Sequence, residues 1–240
     1  MNQEKYSYTI SEEVFAQFPG YHRGVVLCFG VRNGSSPPEL IQLLRAEEAA
    51  LRKRLDIGSI LEDERINSWR EAYRSFGAKP GKFRPSMEAM TRRVLKNNDL
   101  PSISKLVDIG NVISLRHLVP AGGHAIDLIE GDLTLRQAIG DEIFIPFGSE
   151  QIENPLPGEV IFTEGKTVLT RRWTWRQANH TILTDATSAV EFNVDGLPPV
   201  GVNDVEKICC EIVDLVQRFC GGDIRYEILK KEHPQLVLEV

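Results

Sequence analysis

PAGGHAIDL, residues 120–128, is where the chain changes rhythm. Upstream, apolar residues recur at helical spacing. Helices are expected over residues 38–55 (Leu40, Leu43, Leu44, Leu51, Leu55), 62–76 (Ile66, Trp69, Tyr73, Phe76), 87–96 and 104–118 (Leu106, Ile109, Ile113, Leu118). One early strand, YHRGVVLCFGV over residues 21–31, interrupts them. Downstream come short β-prone runs divided by Gly, Pro and Asn: HAIDLIEG, DEIFIPFG, GEVIFTEG, KTVLTRRWTW, HTILTD and SAVEFNV. A helix over residues 204–220 follows, with Asn203 placed to cap it and Gly221 to end it. DIRYEIL and QLVLEV close the chain as strands. Helices around a strand-rich block describe one α+β domain over residues 1–240. The Pro37-Pro38 and Pro198-Pro199 pairs read as punctuation between elements, not as linkers.

Composition narrows the class. With 42% hydrophobic and 26% charged residues the chain reads as an ordinary globular protein. A net charge of −6 argues against a general nucleic-acid binder but leaves room for a local basic patch. Cys28, Cys209, Cys210 and Cys220 form no CxxC pair, no zinc spacing and no disulfide framework. They read as buried free thiols, which suits a reducing compartment. MNQEKYSYTI lacks the apolar core of a signal peptide. No apolar run approaches the roughly 20 residues that span a bilayer. The expected location is the cytoplasm, with no membrane partner.

Three stretches carry possible chemistry. His124 follows two glycines, Gly122 and Gly123, at the entry to a strand run. It is either a turn residue or a polar group at the mouth of a pocket, since loops at strand ends often carry function. TRRWTWRQANHT, residues 170–181, read as one strand, places Trp173 and Trp175 on one face and Arg172, Thr174 and Arg176 on the other. The tryptophans are then core and the arginines solvated, or the strand is a cleft wall whose arginines meet a carboxylate or phosphate. Between residues 69 and 96, eight Lys or Arg stand against two acids, a net +6 inside an acidic chain. Arg74, Lys79, Lys82, Arg84, Arg92 and Arg93 form either a solvated face or a surface for a phosphate backbone. No HExxH, Walker loop, GxSxG or dinucleotide fingerprint occurs. No metal or cofactor is expected.

The run FRPSMEAMTRRVLKNNDLPSISKLVDIGNVISLRHLVPAGGHAIDLIEG resembles the editing region, the B3/B4 domain, of the phenylalanyl-tRNA synthetase β-subunit. Pro85-Ser86 with Arg92-Arg93 match the family's first helix start. PSISKLVDIGNV matches a second element, with Asp108 and Asn111 in register, and HAIDL matches the family's strand entry. The likeness runs over roughly residues 86–191. It implies a β-sandwich-like mixed core with flanking helices. It also implies hydrolysis of amino acids wrongly esterified to tRNA, and makes the misacylated 3′ acceptor end of a tRNA the expected partner, not DNA. His124 becomes a pocket residue on this basis, with Asn111 beside it in the catalytic set. Gly122, Gly123, Arg172, Trp173, Trp175, Arg176 and Thr187 become substrate-facing. A family glutamate falls, by register, on residues 173–179, where no acid occurs, so specificity for a tyrosine hydroxyl does not carry over. The alternative is a binding module for tRNA or an amino acid that keeps the fold without the chemistry. Under either tRNA reading the basic segment must lie beside His124; under a small-molecule reading it can lie anywhere.

Overall fold

The computed structural model describes residues 5–239. Its elements run β1 (Lys5–Ile10), α1 (Glu12–Gln17), β2 (His22–Phe29), α2 (Pro38–Arg54), α3 (Glu64–Ser75), α4 (Ser86–Leu95) and α5 (Lys105–His117). Then follow β3 (Ala121–Ala125), β4 (Leu133–Gln137), β5 (Val160–Glu164), β6 (Thr167–Arg171), β7 (Arg176–Gln177) and β8 (Ala189–Gly196). The chain closes with α6 (Val202–Phe219), β9 (Asp223–Leu229) and β10 (Gln235–Glu239). The strands form a six-stranded sheet, β10-β1-β4-β5-β6-β7, and a four-stranded sheet, β3-β8-β2-β9.

Side-chain alternation explains how the layers stack. Along β2, Val25 and Leu27 join Tyr8, Leu133, Phe162 and Leu238 of the larger sheet in one core. Val26 and Cys28, one residue out of phase, join Leu44 of α2, Ile109 of α5 and Ile212 of α6 in a second core. The four-stranded sheet is therefore buried on both faces, which is why GVVLC is an unbroken apolar run. The result is a mixed α+β fold: two sheets face to face, with helices against the outer face of the smaller one.

The helices fall where their stripes place them, within two residues at each end. Asp204 of α6 accepts the Gly201 amide at 3.1 Å, so the cap is Gly201 with Asp204, not Asn203. The strands are read less well. HAIDLIEG is not a strand: β3 is AGGHA, and Ile126–Leu128 turns into a single 3-10 turn. DEIFIPFG makes only isolated bridges at Ile143, Phe144 and Pro146, and HTILTD forms no strand. The strands β1 and β4 and the helix α1 escape the pattern because each is short and flanked by ordinary polar residues. The strand expected over QLVLEV ends at Glu239; its final residue, Val240, lies outside the described residues. Cys28, Cys209 and Cys220 are buried thiols, whereas Cys210 is exposed, 3.5 Å from the Tyr226 hydroxyl.

Candidate functional site

The site lies where an edge of the small sheet meets an edge of the large one. β3 is an edge strand of the first and β7 of the second. α5 delivers the chain to β3 through Leu118, whose left-handed backbone (φ 50°) ends the helix, and Ser114 Oγ is bonded to the Ala121 backbone. His124 sits opposite Glu191 of β8, and Gly122 opposite Asn193. Across the gap, Gln177 of β7 donates through Nε2 to the Gly123 and Thr181 carbonyls at 3.1 Å each, clamping the two edges together.

Two adjoining cavities open along this seam. The inner one, about 150 Å³, is lined by His124, Thr170, Thr174, Asn193 and Asp195 under the Trp173 and Trp175 rings. The outer one, about 510 Å³, is apolar: Met90 of α4, Ile103, Leu106 of α5, Phe147, Leu183 and Phe192 line it, with Asn111 and Arg176 as polar members. Gly122, Gly123, Trp175, Arg176 and Gln177 belong to both, so the cavities form one cleft. Asp108 shapes its rim by accepting from Ser102 Oγ at 2.5 Å, Ser36 Oγ at 2.7 Å and the Ile103 amide at 3.1 Å.

His124 is buried, with its ring against Phe162 at 5.2 Å. Nδ1 lies 2.6 Å from Thr181 Oγ1 and 3.3 Å from Gln177 Nε2; Nε2 lies 3.1 Å from Thr170 Oγ1. With the proton placed on Nε2, Nδ1 accepts from the Thr181 hydroxyl and Nε2 donates to Thr170 Oγ1, while the two Gln177 Nε2 protons go to the Gly123 and Thr181 carbonyls. Burial, helped by the Arg23 charge, lowers the His124 pKa to about 3, so the ring is neutral at any working pH. Thr170 keeps its own hydroxyl proton to present to the inner cavity. That arrangement can orient a water; it cannot make His124 a proton store near neutrality.

Behind the cavity runs a buried polar network that the strand pattern encodes. In β8, Val190, Phe192 and Val194 face the helices, and Glu191, Asn193 and Asp195 face the other sheet. Arg23 of β2 grips Asp195 through Nε at 2.7 Å and Nη2 at 3.0 Å, and Tyr21 donates to the same carboxylate. Arg23 Nη1 meets Tyr8 Oη at 2.9 Å, and that hydroxyl donates to Glu191 Oε1 at 2.8 Å. Burial pushes the Glu191 pKa up to about 7. SAVEFNV reads as a strand, but its run alone does not show that the polar face of A-V-E-F-N-V-D is turned inward. Thr170, Gln177, Asn193 and Asp195 are thus site residues missed by sequence reasoning.

The wall TRRWTWRQ is not one strand. β6 stops at Arg171, and Arg172 and Trp173 take consecutive left-handed conformations (φ 49° and 62°) before β7 begins. Such backbone costs roughly 1–2 kcal/mol per non-glycine residue and is held here by burial. Trp173 is buried, packs edge-on against Phe18, Tyr21 and Trp69, and lines the inner cavity. Arg172 lines neither cavity. Its guanidinium stacks on Phe83 at 3.6 Å and Trp175 at 4.6 Å, and it pairs with buried Glu159 at 2.9 Å. It is a brace rather than a phosphate ligand. Thr187 is also outside the cleft; its hydroxyl accepts the Thr184 amide at 2.9 Å within a turn.

The glycines differ in purpose. A Cβ on Gly123 would come within 3.0 Å of Leu183 and 3.2 Å of Val190, so its bareness admits the protein's own side chains. A Cβ on Gly122 would meet only Asn193 Oδ1, at 3.7 Å.

The basic segment divides. Arg70 and Arg92 both pair with buried Glu88, at 2.8 and 2.7 Å, and Arg74 pairs with Glu71. Arg93 donates to the Asp99 carbonyl at 3.0 Å but lies on the α4 face of Ser86 and Met90, the two cleft residues of that helix. Lys79, Lys82 and Arg84 are exposed and, among the described residues, carry no ion pair. Their loop leans on the cleft wall: Phe83 meets Trp175 at 4.9 Å, and the Ser86 amide donates to the Thr174 carbonyl at 3.1 Å. Among the described residues no group of three metal-ligating side chains converges, and no helix is long and apolar enough to cross a membrane.

A family model described as the B3/4 domain matches residues 68–221. Among solved structures, this chain is similar to a crystal structure of an N-terminal fragment of the phenylalanyl-tRNA synthetase beta-subunit from Pyrococcus horikoshii. The two are 13% identical, with a TM-score of 0.49 over 94% of this chain and 52% of that one. The chain thus spans about half the length of that structure. No curated protein matches the sequence.

Proposed function

The chain belongs to the B3/4 domain family, and from that premise we propose that it is a trans-acting hydrolase of misacylated aminoacyl-tRNA. The observation that carries this reading is one cleft with a polar inner end, an apolar outer chamber and unpaired cations on its wall loop. The esterified amino acid enters the inner end, the terminal nucleoside fills the outer chamber, and Lys79, Lys82, Arg84 and Arg93 meet the acceptor-stem phosphates. Ester hydrolysis needs an oriented water, charge stabilisation at the carbonyl oxygen and a proton for the departing ribose oxygen. Neutral His124 holds the Thr170 hydroxyl, and that hydroxyl orients the water, which adds to the carbonyl carbon and gives up the proton that passes to the ribose oxygen as the ester C–O bond breaks. Arg176, exposed on the wall shared by both cavities, meets the carbonyl or the terminal phosphate, and Asn111 holds the ribose. His124 acts by positioning.

Deacylation of a panel of misacylated tRNAs tests this. Wild type should cleave at least one ester, and His124→Ala should slow that cleavage about 10²-fold, the scale of a lost positioning contact. No cleavage above background across the panel overturns the enzyme reading.

One observation favours a second reading. Both His124 nitrogens are engaged by threonine hydroxyls, and its pKa lies far from neutrality. A module that binds tRNA or an amino acid without chemistry fits that arrangement, and it requires saturable, salt-sensitive tRNA binding with no turnover.

A further inference from the structure

Asn193 is held in one orientation by its neighbours, and that orientation leaves one atom unused. Its Nδ2 donates to Asp195 Oδ2 at 3.1 Å. The opposite amide orientation would set Oδ1 against a carboxylate, so the donor end is fixed on Asp195. Asp195 is itself immobilised by the Arg23 fork and the Tyr21 hydroxyl. At the other end, Asn193 Oδ1 is buried and has no hydrogen-bond partner. Buried acceptors are normally paired, and an orphan of this kind costs about 1–3 kcal/mol. The residue paired with Asn193 across the strands is Gly122, which lines both cavities, and the nearest atom to a Cβ built there is this same Oδ1. The acceptor therefore faces the one stretch of β3 that has no side chain.

We infer that Asn193 is a specificity-determining residue whose Oδ1 accepts a hydrogen bond from a donor on the acylated amino acid, so that the inner cavity selects ligands carrying an O–H or N–H at that depth. This rests on the proposed function for the identity of the ligand. The donor belongs either to the side chain or to the α-ammonium; both are one chemistry to an amide oxygen. A cavity of about 150 Å³ admits groups up to the size of a single ring. A ligand without the donor would leave Oδ1 buried and unpaired, which is how polar sites reject isosteres.

The test uses non-hydrolysable 3′-amide analogues of aminoacyl-adenosine, with affinities measured by calorimetry. Threonyl is compared with valyl, and tyrosyl with phenylalanyl, for a side-chain donor. Threonyl is compared with its des-amino counterpart for the α-ammonium. Wild type should prefer the donor-bearing member of at least one comparison by about tenfold or more. Asn193→Leu, close in shape, removes the acceptor while Asp195 keeps Arg23 and Tyr21. Gly122→Ala leaves Asn193 in place and covers Oδ1 at ordinary contact distance. Each variant, checked by thermal melting, should bring the preference to within about twofold. Equal affinities in every comparison, no binding of any analogue to wild type, or a preference untouched by both variants overturns the inference. Native-ester cleavage separates the two claims. Hydrolysis indifferent to the donor leaves the enzyme reading standing and this one fallen. Donor-selective binding with no hydrolysis does the reverse.

Discussion

At the scale of single residues, the site is governed by what burial does to charge. His124 and Glu191 stand opposite each other on neighbouring strands, and both are driven toward neutrality. Glu191 carries a measurable signature. In the unfolded chain its carboxyl ionises near 4.5, whereas in the fold burial holds the proton to about pH 7. Between those values the unfolded state binds fewer protons than the folded one, so the stability contributed by this residue falls as pH rises and is flat above 7. Glu191→Gln removes the effect. The difference in melting temperature between variant and wild type should grow from pH 4.5 to 7 and then level off, at a free-energy scale on the order of a few kcal/mol. A difference that does not vary with pH would show that Glu191 is ionised in the fold. His124 works in the opposite direction: its contribution is lost as pH falls from 6.5 toward 3, because the unfolded imidazole takes up a proton that the folded one refuses.

At the scale of elements, the helices were readable and much of the β half was not, for a physical reason. A helix such as α5 shows its buried stripe over 13 residues, long enough for periodicity to rise above noise. The strands around the cleft are two to eight residues long, and alternation alone cannot say whether a polar face meets water or another sheet. PAGGHAIDL singled out residues that line the cleft, through its two glycines before a histidine and through the family resemblance of HAIDL; the RRWTWRQ wall misled because a left-handed turn at Arg172 and Trp173 contains no glycine to announce it. The basic segment is a similar case. Its net charge was visible, but the partners Glu71 and Glu88 sort Arg74, Arg70 and Arg92 into pairs and leave the loop of Lys79, Lys82 and Arg84 with no ion pair among the described residues. Charge reversal at Lys82 and Arg84 should weaken tRNA binding and lower the slope of log affinity against log salt by about one for each phosphate no longer neutralised. Reversal at Arg74, already paired on the surface, should leave that slope unchanged. Filter binding across a salt series measures both. Equal effects at the two places would remove the loop from the interface.

At the scale of the whole molecule, the two sheets are joined by more than apolar contact. Arg23 is fully buried between Asp195, Tyr21 and Tyr8, and through Tyr8 it reaches Glu191 and the first strand of the larger sheet. Removing one partner of such a pair leaves an uncompensated charge in the interior. Arg23→Met should therefore cost about 3–5 kcal/mol in urea unfolding, while the double change Arg23→Met with Asp195→Asn should recover part of that loss. A single variant as stable as wild type would show that the network carries no net stability.

The sheet order also has a consequence for how the chain reaches this state. Tyr8 of β1 is paired with Leu133 on one side and Leu236 on the other, so the two partners of β1 lie 125 and 228 residues further along the chain and are made well after it. Contacts this distant along the chain are slow to form. During synthesis on the ribosome β1 stays an unpaired edge, open to intermolecular association, so the nascent chain's need for protection should end only when β10 emerges.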